Sequence, residues 1–574
     1  MTRRSPPVHS SSHALAATAG ALFAAHRGSG RPRALLVGLL LLVGVLAGLQ
    51  PAQAAPRADT TASAPQKYWI FLEARPRHAS SPAEVRWTRP VAPSYLKRLR
   101  EAGVDLQVQS RWFHAVSARL PTRLHDAVAA LPFVRSTRPV AHLHSADAAS
   151  PARSAPPSSS VLGMRPEGSV EYGAARGPLS RINALAPIER GLHGHGVRVG
   201  FLDARFNRLQ HPAFSQLRAT DRLGGLRNFT AGRQGGNHGA GVMSVALGYD
   251  PGALVGPAYG ATVFGATTEF TQFERNVEED NFVAGLEWLH RQGVDVVNVS
   301  IGYTTFDDGQ RSYSTDDLDG DTALTTRAVD RAAQLGVTVV VSAGNSGCGS
   351  PDACWFYVNT PADADSAIAV GAIAPDSSLA SFSARGPTAD GRRKPDVLVQ
   401  GREVAAAWDG DRYARVGGTS FASPQVTGIV AQMLQVNPSL GPIEVRRLLR
   451  QTASQAHAPD TSRGWGIVNA NAAIRAAEWR ARRSPPPTLQ ASAPYRRIAS
   501  SALVVPVTAP ARTSALRVSL ATPSGRRVRH VERVGHPGPN RIALDTEGLS
   551  PGLYRYEVRT DAGHRAAGRV TIID

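Results

Sequence analysis

Three side chains of complementary chemistry stand at the ends of patterned segments. Val197-Arg198-Val199-Gly200-Phe201-Leu202-Asp203 reads as a buried strand that ends in a carboxylate. Asn237-His238-Gly239-Ala240-Gly241-Val242 places an imidazole ahead of the small-residue start of a helix. Gly417-Gly418-Thr419-Ser420-Phe421-Ala422-Ser423-Pro424 places a hydroxyl just before a helix whose Val426, Ile429, Val430, Met433 and Leu434 recur at helical spacing. Pro424 suits a first helical turn, where its missing N–H costs little. A carboxylate, an imidazole and a hydroxyl are the parts of a nucleophilic triad. Singly, each has a structural explanation: a strand-end Asp caps turns, a lone His is a satisfied polar residue, and Gly-Thr-Ser before a helix is an N-cap. Their joint occurrence in one segment points to catalysis.

The elements that must hold these groups follow from the pattern. Residues 170–480 alternate short apolar strands (197–202, 294–301, 337–342, 368–374) with amphipathic helices (281–292, 322–335). That order predicts an α/β domain, a parallel sheet with helices on both faces, with ligand chemistry at the carboxyl ends of its strands. Upstream, residues 66–140 read β-α-β-α-β: strand 68–72, helix 95–102, alternation over 112–120, helix 124–131 and a strand from Phe133, which suggests a ferredoxin-like α+β unit. Residues 141–169 form an Ala/Ser/Pro-rich linker suited to proteolytic processing, and 481–495 a second, Pro-rich one. Residues 496–574 hold short alternating strands (516–520, 529–534, 554–559, 569–573) between Gly/Pro turns, a small all-β sandwich.

A net charge of +19 invites a nucleic-acid reading, but its distribution argues against one. Residues 1–169 hold 21 basic and 8 acidic residues, 170–480 hold 28 and 31, and 481–574 hold 15 and 6. The basic ends surround a slightly acidic middle, so no nucleic-acid partner is expected. Arg31 to Arg33 precede an uncharged run, 34–49, and then Ala52-Gln53-Ala54. This is a signal peptide over residues 1–54. Its apolar run falls short of the ~20 residues a membrane span needs, so a secreted or cell-surface protein without a span in its mature form is expected. In an exported chain Cys348 and Cys354, flanking a Gly/Pro turn, read as a short-loop disulfide. Two sulfurs without a nearby His fall short of a zinc site.

The chain order Asp, His, Ser is that of subtilisin, and at this point the sequence resembles the subtilisin-like serine proteases (subtilases, peptidase family S8) over residues ~170–480. Leu202-Asp203, His238-Gly239, Ser342-Ala343-Gly344-Asn345 and Gly418-Thr419-Ser420-Phe421-Ala422-Ser423-Pro424 resemble the aspartate, histidine, oxyanion-asparagine and serine motifs in order. Ala240 and Arg205 depart from the family pattern, which usually has Thr after His-Gly and a small residue near the Asp.

The resemblance implies a serine endopeptidase acting on protein or peptide substrates, with catalytic Asp203, His238 and Ser420, Asn345 in the oxyanion hole, and no metal or organic cofactor. It also implies that Ser300, Ile301 and Gly302 pair with substrate, opposite Ala343 and Gly344, around a pocket for medium to large apolar side chains. Residues 66–140 resemble the family's propeptide, which implies a self-processed zymogen carrying its own intramolecular chaperone and inhibitor. The last ~80 residues resemble the C-terminal sorting domain of the bacterial type IX secretion route, through Gly525-Arg526-Arg527-Val528, Gly548-Leu549-Ser550-Pro551-Gly552-Leu553-Tyr554 and a closing Ala567-Gly568-Arg569-Val570 strand; the implied partner is the secretion machinery. The alternative for the tail is a fixed accessory domain, and for the whole chain a non-hydrolytic adhesin on a subtilase scaffold. Asp316 to Asp321 has the carboxylate density of a calcium loop but lacks the EF-hand spacing, so a solvated turn is expected there, with a structural calcium as the alternative. Glu278-Glu279-Asp280, ahead of the helix at 281–292, are expected to complement its dipole rather than to bias a subsite.

Overall fold

The computed structural model describes residues 66–73, 89–140, 170–230, 237–270, 274–347 and 355–483 and most of 489–572. The export segment, the linker 141–169 and both cysteines lie outside the described residues.

The N-terminal unit is built from β1 (Gln66–Leu72), α1 (Pro93–Glu101), β2 (Asp105–Ser110), β3 (Ala115–Leu120), α2 (Thr122–Ala129) and β4 (Val134–Val140). Its antiparallel sheet runs β2-β3-β1-β4. The sequence reading lacked β2, an edge strand whose apolar face is only Leu106 and Val108, both half-buried, between exposed Asp105, Gln107 and Gln109. β1 is apolar from Tyr68 to Leu72 because both of its faces are covered. Tyr68, Ile70 and Leu72 pack on Leu99 and Val128 of the unit's own helices, whereas Trp69 and Phe71 join a core that belongs to the central domain.

That central domain carries one seven-stranded, all-parallel sheet. Its strands are β5 (Arg198–Asp203), β6 (Leu223–Asn228), β7 (Thr262–Thr267), β8 (Val296–Val299), β9 (Thr338–Ser342), β10 (Ile368–Ile373) and β11 (Val397–Gln400), in spatial order β11-β10-β9-β8-β5-β7-β6. α3 (His238–Leu247) and α6 (Thr419–Val436) cover one face, and α4 (Val277–Arg291) and α5 (Leu324–Gln334) the other; α7 (Pro442–Thr452) and α8 (Ala470–Arg483) follow. Val199 and Phe201 face the α6 core while Leu202 faces the α4 core, which is why β5 has no polar alternation. α6 is buried from Thr419 to Leu434 and is correspondingly apolar around most of its circumference.

The N-terminal sheet docks on α4 and α5. Trp69, Phe71, Trp112, Phe113 and Val140 share one buried cluster with Phe282, Leu286, Leu324 and Ala328. Two carboxylates of α4 fix the register. Asp280 pairs with Lys67 Nζ and accepts from Trp69 Nε1 at 2.5 Å. Glu287 accepts from Ser110 Oγ (2.6 Å) and from the Arg111 and Trp112 N–H groups (3.1 and 3.3 Å). The acidic run therefore divides its work: Glu278, its carboxyl pushed up to about 10 chiefly by burial, holds the Phe270 and Arg275 N–H groups of the segment leading into α4, while Asp280 is a docking group.

The C-terminal residues form two antiparallel sheets over a shared core of Leu503, Val505, Leu516, Val518 and Val558. Two of its strands, Ala502–Ala509 and Gly538–Asp545, were not visible in the sequence. Pro506 sits inside the first and Pro539 inside the second, and a proline within an apolar run argues against a strand.

Candidate active site

Asp203 closes β5 at its carboxyl end, fully buried. Its Oδ1 accepts from the Ala204 N–H (2.7 Å) and lies 2.6 Å from His238 Nδ1. His238 opens α3, and the helix can approach the strand this closely because residue 239 is glycine. A Cβ there would stand 2.6 Å from the Arg205 carbonyl oxygen and 3.0 Å from Asp203 Cβ. The same Arg205 carbonyl accepts the Ala240 N–H at 2.9 Å, so the two departures from the family pattern meet in one backbone contact. Burial pulls the His238 pKa down, but the Asp203 charge and hydrogen bond outweigh it and leave the imidazole above its ordinary 6.5. A second carboxyl nearby, Glu269, is pushed above the usual carboxylate range, chiefly by burial, and accepts from Tyr303 Oη (2.6 Å) and Thr268 Oγ1 (3.0 Å).

Ser420 lies in the first turn of α6, only 8% exposed. The helix starts one residue before it, so Pro424 falls in the second turn rather than the first. Its missing N–H leaves the Ser420 carbonyl without a helical partner. Ser300 Oγ supplies the replacement at 2.8 Å, and Ser420 Oγ in turn donates to the Ser300 carbonyl oxygen at 3.2 Å. Ser300 Oγ is further held by Asn298 Nδ2 (2.8 Å) and Ser423 Oγ (2.9 Å), and Asn298 Oδ1 by Thr427 Oγ1 (3.0 Å). This buried polar chain ties β8 to α6, and of its members Asn298 and Thr427 escaped the sequence reading. The available signal was an Asn inside the otherwise apolar Val296-Val297-Asn298-Val299. His238 lies edge-on to the ring of Phe421, the residue after Ser420, with centroids 5.4 Å apart, and among the described residues no hydrogen bond joins it to Ser420 Oγ, which is held by the Ser300 carbonyl.

Asn345 follows β9. Its Oδ1 accepts both the Thr419 N–H (2.8 Å) and Thr419 Oγ1–H (2.9 Å), which leaves Nδ2 as a donor. At Gly418, whose φ of 142° only glycine tolerates well, a Cβ would lie 3.3 Å from that Nδ2 and 3.7 Å from the Ser420 nitrogen. The two nitrogens thus lie within reach of one point beside the glycine. Thr419, which orients Asn345, was not singled out by sequence.

The expected cleft walls come together around a residue the sequence reading missed. A Cβ on Gly302 would be 3.0 Å from Asn359 Cβ, and one on Gly344 2.6 Å from Asn359 Oδ1. Asn359 N–H donates to the Ala343 carbonyl at 2.8 Å, and Asn359 Oδ1 is buried without a hydrogen-bond partner among the described residues. At the acidic loop, Asp317 accepts from Ser314 N–H and Oγ (2.8 Å each), and Asp319 from the N–H groups of Asp321 and Thr322 (2.8 and 2.7 Å). These carboxylates cap a turn. The Cys348–Cys354 pairing lies outside the described residues.

Comparison with known proteins agrees with this geometry. Residues 194–466 match the subtilase family, peptidase S8, and residues 67–155 match the peptidase S8 propeptide domain of Bacteroidota. Subtilisin Savinase of Lederbergia lenta is 32% identical over 301 residues, 52% of this chain and 97% of that protein. An alkaline protease of Shouchella clausii is 32% identical over 301 residues, 52% of this chain and 69% of that protein. The crystal structure of an epidermin leader peptide processing serine protease from Staphylococcus aureus shares the fold, with a TM-score of 0.51 and 15% identity over 72% of this chain and 99% of that one. An Asp-His pair at a sheet end, a serine opening a buried helix and a relative matched over nearly its whole length converge: the chain belongs to the subtilase family and is a serine endopeptidase with an S8 propeptide.

Proposed function

We propose that Ser420 Oγ attacks the scissile carbonyl, that His238 takes its proton and returns it to the leaving amine, and that Asp203 holds the imidazole tautomer and stabilises the imidazolium. Asn345 Nδ2 and the Ser420 N–H stabilise the oxyanion. The observation that carries this reading is the 2.6 Å contact between His238 Nδ1 and the fully buried Asp203 carboxylate. A serine-directed phosphonate tests it: the protein labels on one serine, and Ser420→Ala abolishes the label. Labelling that survives the substitution refutes the assignment.

Asn359 revises the expected pocket. With a polar amide between Gly302 and Gly344, large apolar side chains leave its orphan oxygen buried and unpaired, whereas small or hydrogen-bond-donating ones do not. Asn359→Gly removes both the obstruction and the orphan. In a peptide library, kcat/KM for aromatic residues before the scissile bond rises by about tenfold or more relative to small ones, the scale of ~1–3 kcal/mol that pocket contacts discriminate. An unchanged profile excludes Asn359 from the pocket.

The propeptide, on this reading, inhibits the enzyme until self-cleavage and removal. Glu287→Ala leaves one hydroxyl and two backbone N–H groups of the propeptide without their acceptor. Truncating a buried hydrogen-bonded charge costs about 2–5 kcal/mol, so the isolated propeptide inhibits the mature Glu287→Ala enzyme on the order of 10²-fold or more weakly. Inhibition constants measured on both enzymes check this, and equal values refute it.

The signal peptide reading supports export. The tail's strand order, net positive charge and Gly-Leu-Ser-Pro-Gly-Leu-Tyr motif support a sorting role. Intact mass of the secreted protein, beside Ser420→Ala, reads both processing events: loss of residues before ~170 only with Ser420 present, and a new C-terminus ahead of Asp574.

A further inference from the structure

A second concave region lies at the other end of the sheet. It is a groove of about 1160 Å³ between α5, α7 and the loop that leads into β11, with Phe113 of the N-terminal unit on its wall. Ser366 and Lys394 on its wall precede β10 and β11, so it opens at the amino ends of the strands, whereas Asp203 marks the carboxyl end. Its charge is out of keeping with its domain. Residues 170–480 carry three more acidic than basic residues, yet the groove is lined by seven cations and three carboxylates.

The cations are arrayed in order. Arg327 and Arg331 stand one turn apart on α5, Arg446 and Arg450 one turn apart on α7, and Arg392-Arg393-Lys394 close the third side. Like charges at this helical spacing are locally unfavourable, so the array is not explained by helix stability. Part of it is neutralised internally. Lys394 and Arg450 share Asp396, and Arg392 holds Asp390 and Asp365. Arg327 instead lies over the Phe113 ring, 5.4 Å from its centroid, and Arg446 donates to the Asp365 backbone carbonyl. Arg393 is exposed. Among the described residues neither of the first two forms an ion pair with a carboxylate, although Asp321 lies near Arg327 and Asp396, Asp330 and Asp365 near Arg446. Burial lowers the pKa of both: for Arg327 repulsion from Arg138 adds to it and Asp321 offsets part, and for Arg446 the nearby Asp396 offsets part while Arg450 adds to it.

We propose that this groove binds a linear sulfated polysaccharide. Guanidinium forks match the oxygens of sulfate esters. The volume exceeds the roughly 300–1,000 Å³ of ordinary small-molecule sites, which fits several sugar units rather than one ion. The interspersed Asp321, Asp330 and Asp365 separate this ligand from nucleic acid. They repel a duplex carrying one charge per ~1.7 Å, but accept hydrogen bonds from the hydroxyls that lie between sulfates on a sugar chain. Because the groove and the cleft open at opposite ends of the sheet, a bound chain anchors the enzyme without filling its active site.

The test uses full-length Ser420→Ala protein and fluorescent dextran sulfate, read by anisotropy at about 0.15 M salt. Saturable binding is expected, with none to unsulfated dextran. Arg393→Glu weakens it about tenfold and Arg327→Glu/Arg393→Glu further, while Arg526→Glu/Arg527→Glu in the basic tail changes it less than about twofold. Arg393 is exposed, so its replacement keeps the fold, which a melting curve verifies. Loss with the tail variant instead, no loss with the groove variants, or equally tight duplex DNA each overturns the proposal. With the processed wild-type enzyme, hydrolysis of a short peptide continues at saturating dextran sulfate. Competitive inhibition would place the polyanion in the cleft and overturn it as well.

Discussion

Ser420→Ala lowers kcat on a peptide substrate about a million-fold and leaves the precursor uncleaved, with little change in stability. The magnitude is that seen when a subtilisin loses its nucleophile. The surroundings of Ser420 explain why the two effects separate. The lost Oγ makes one modest hydrogen bond, to the Ser300 carbonyl, worth about 1 kcal/mol. The bond that ties β8 to α6 runs through Ser300 Oγ to the Ser420 backbone carbonyl, and alanine keeps that carbonyl. Asn345 and the residue-420 N–H still converge beside Gly418, so a residual ~10³–10⁴-fold acceleration over water remains. Steady-state kinetics and a thermal melt check both halves. Activity within a hundredfold of wild type, or a precursor that still matures, refutes the role of Ser420.

The residues of the proposed triad stood out because each occupies a position where sequence pattern and chemistry coincide. Asp203 ends a strand, and His238 and Ser420 lie next to small residues that the packing requires: glycine at 239 lets α3 meet β5, and glycine at 418 leaves room beside two donors. Central strands were legible for a similar reason, since Val199 to Leu202 face cores on both sides and leave an unbroken apolar run. Groups whose meaning depends on a distant partner were not. Asn359 gains its place only when Gly302 and Gly344, 42 residues apart in the chain, close on it from two sides. Glu287 reads as an ordinary helix carboxylate until the N-terminal sheet delivers three donors to it. The groove cations are scattered over α5, α7 and a loop, and their total vanishes in a domain whose overall charge is slightly acidic. Charge counting along the chain, which correctly discounts the basic ends, cannot see a patch formed by folding.

Asp203→Asn separates geometry from charge. The carboxylate's Oδ1 serves both the Ala204 N–H and His238 Nδ1, while Oδ2 is buried with no hydrogen-bond partner among the described residues. Asparagine can keep its oxygen at the first position only by burying its amide donors, unpaired, at the second. Reversing the amide presents N–H groups to the Ala204 N–H and to Nδ1, which must then accept. The imidazole is thereby driven to the tautomer protonated on Nε2, the nitrogen that has to take the Ser420 proton. In either arrangement the negative charge that stabilises the imidazolium is gone, and kcat falls about 10⁴-fold. The pH dependence has a defined sign. His238 acts as a base only when neutral, and the Asp203 carboxylate raises its pKa above 6.5, so wild-type kcat/KM rises with pH through a limb above that value. Without the carboxylate, burial alone sets the shift, which lowers the imidazole pKa. The acid limb of Asp203→Asn therefore moves to lower pH even as its plateau drops. A structural defect would reduce the plateau and leave the limb in place, so pH profiles of the two enzymes decide whether Asp203 acts through its charge on His238.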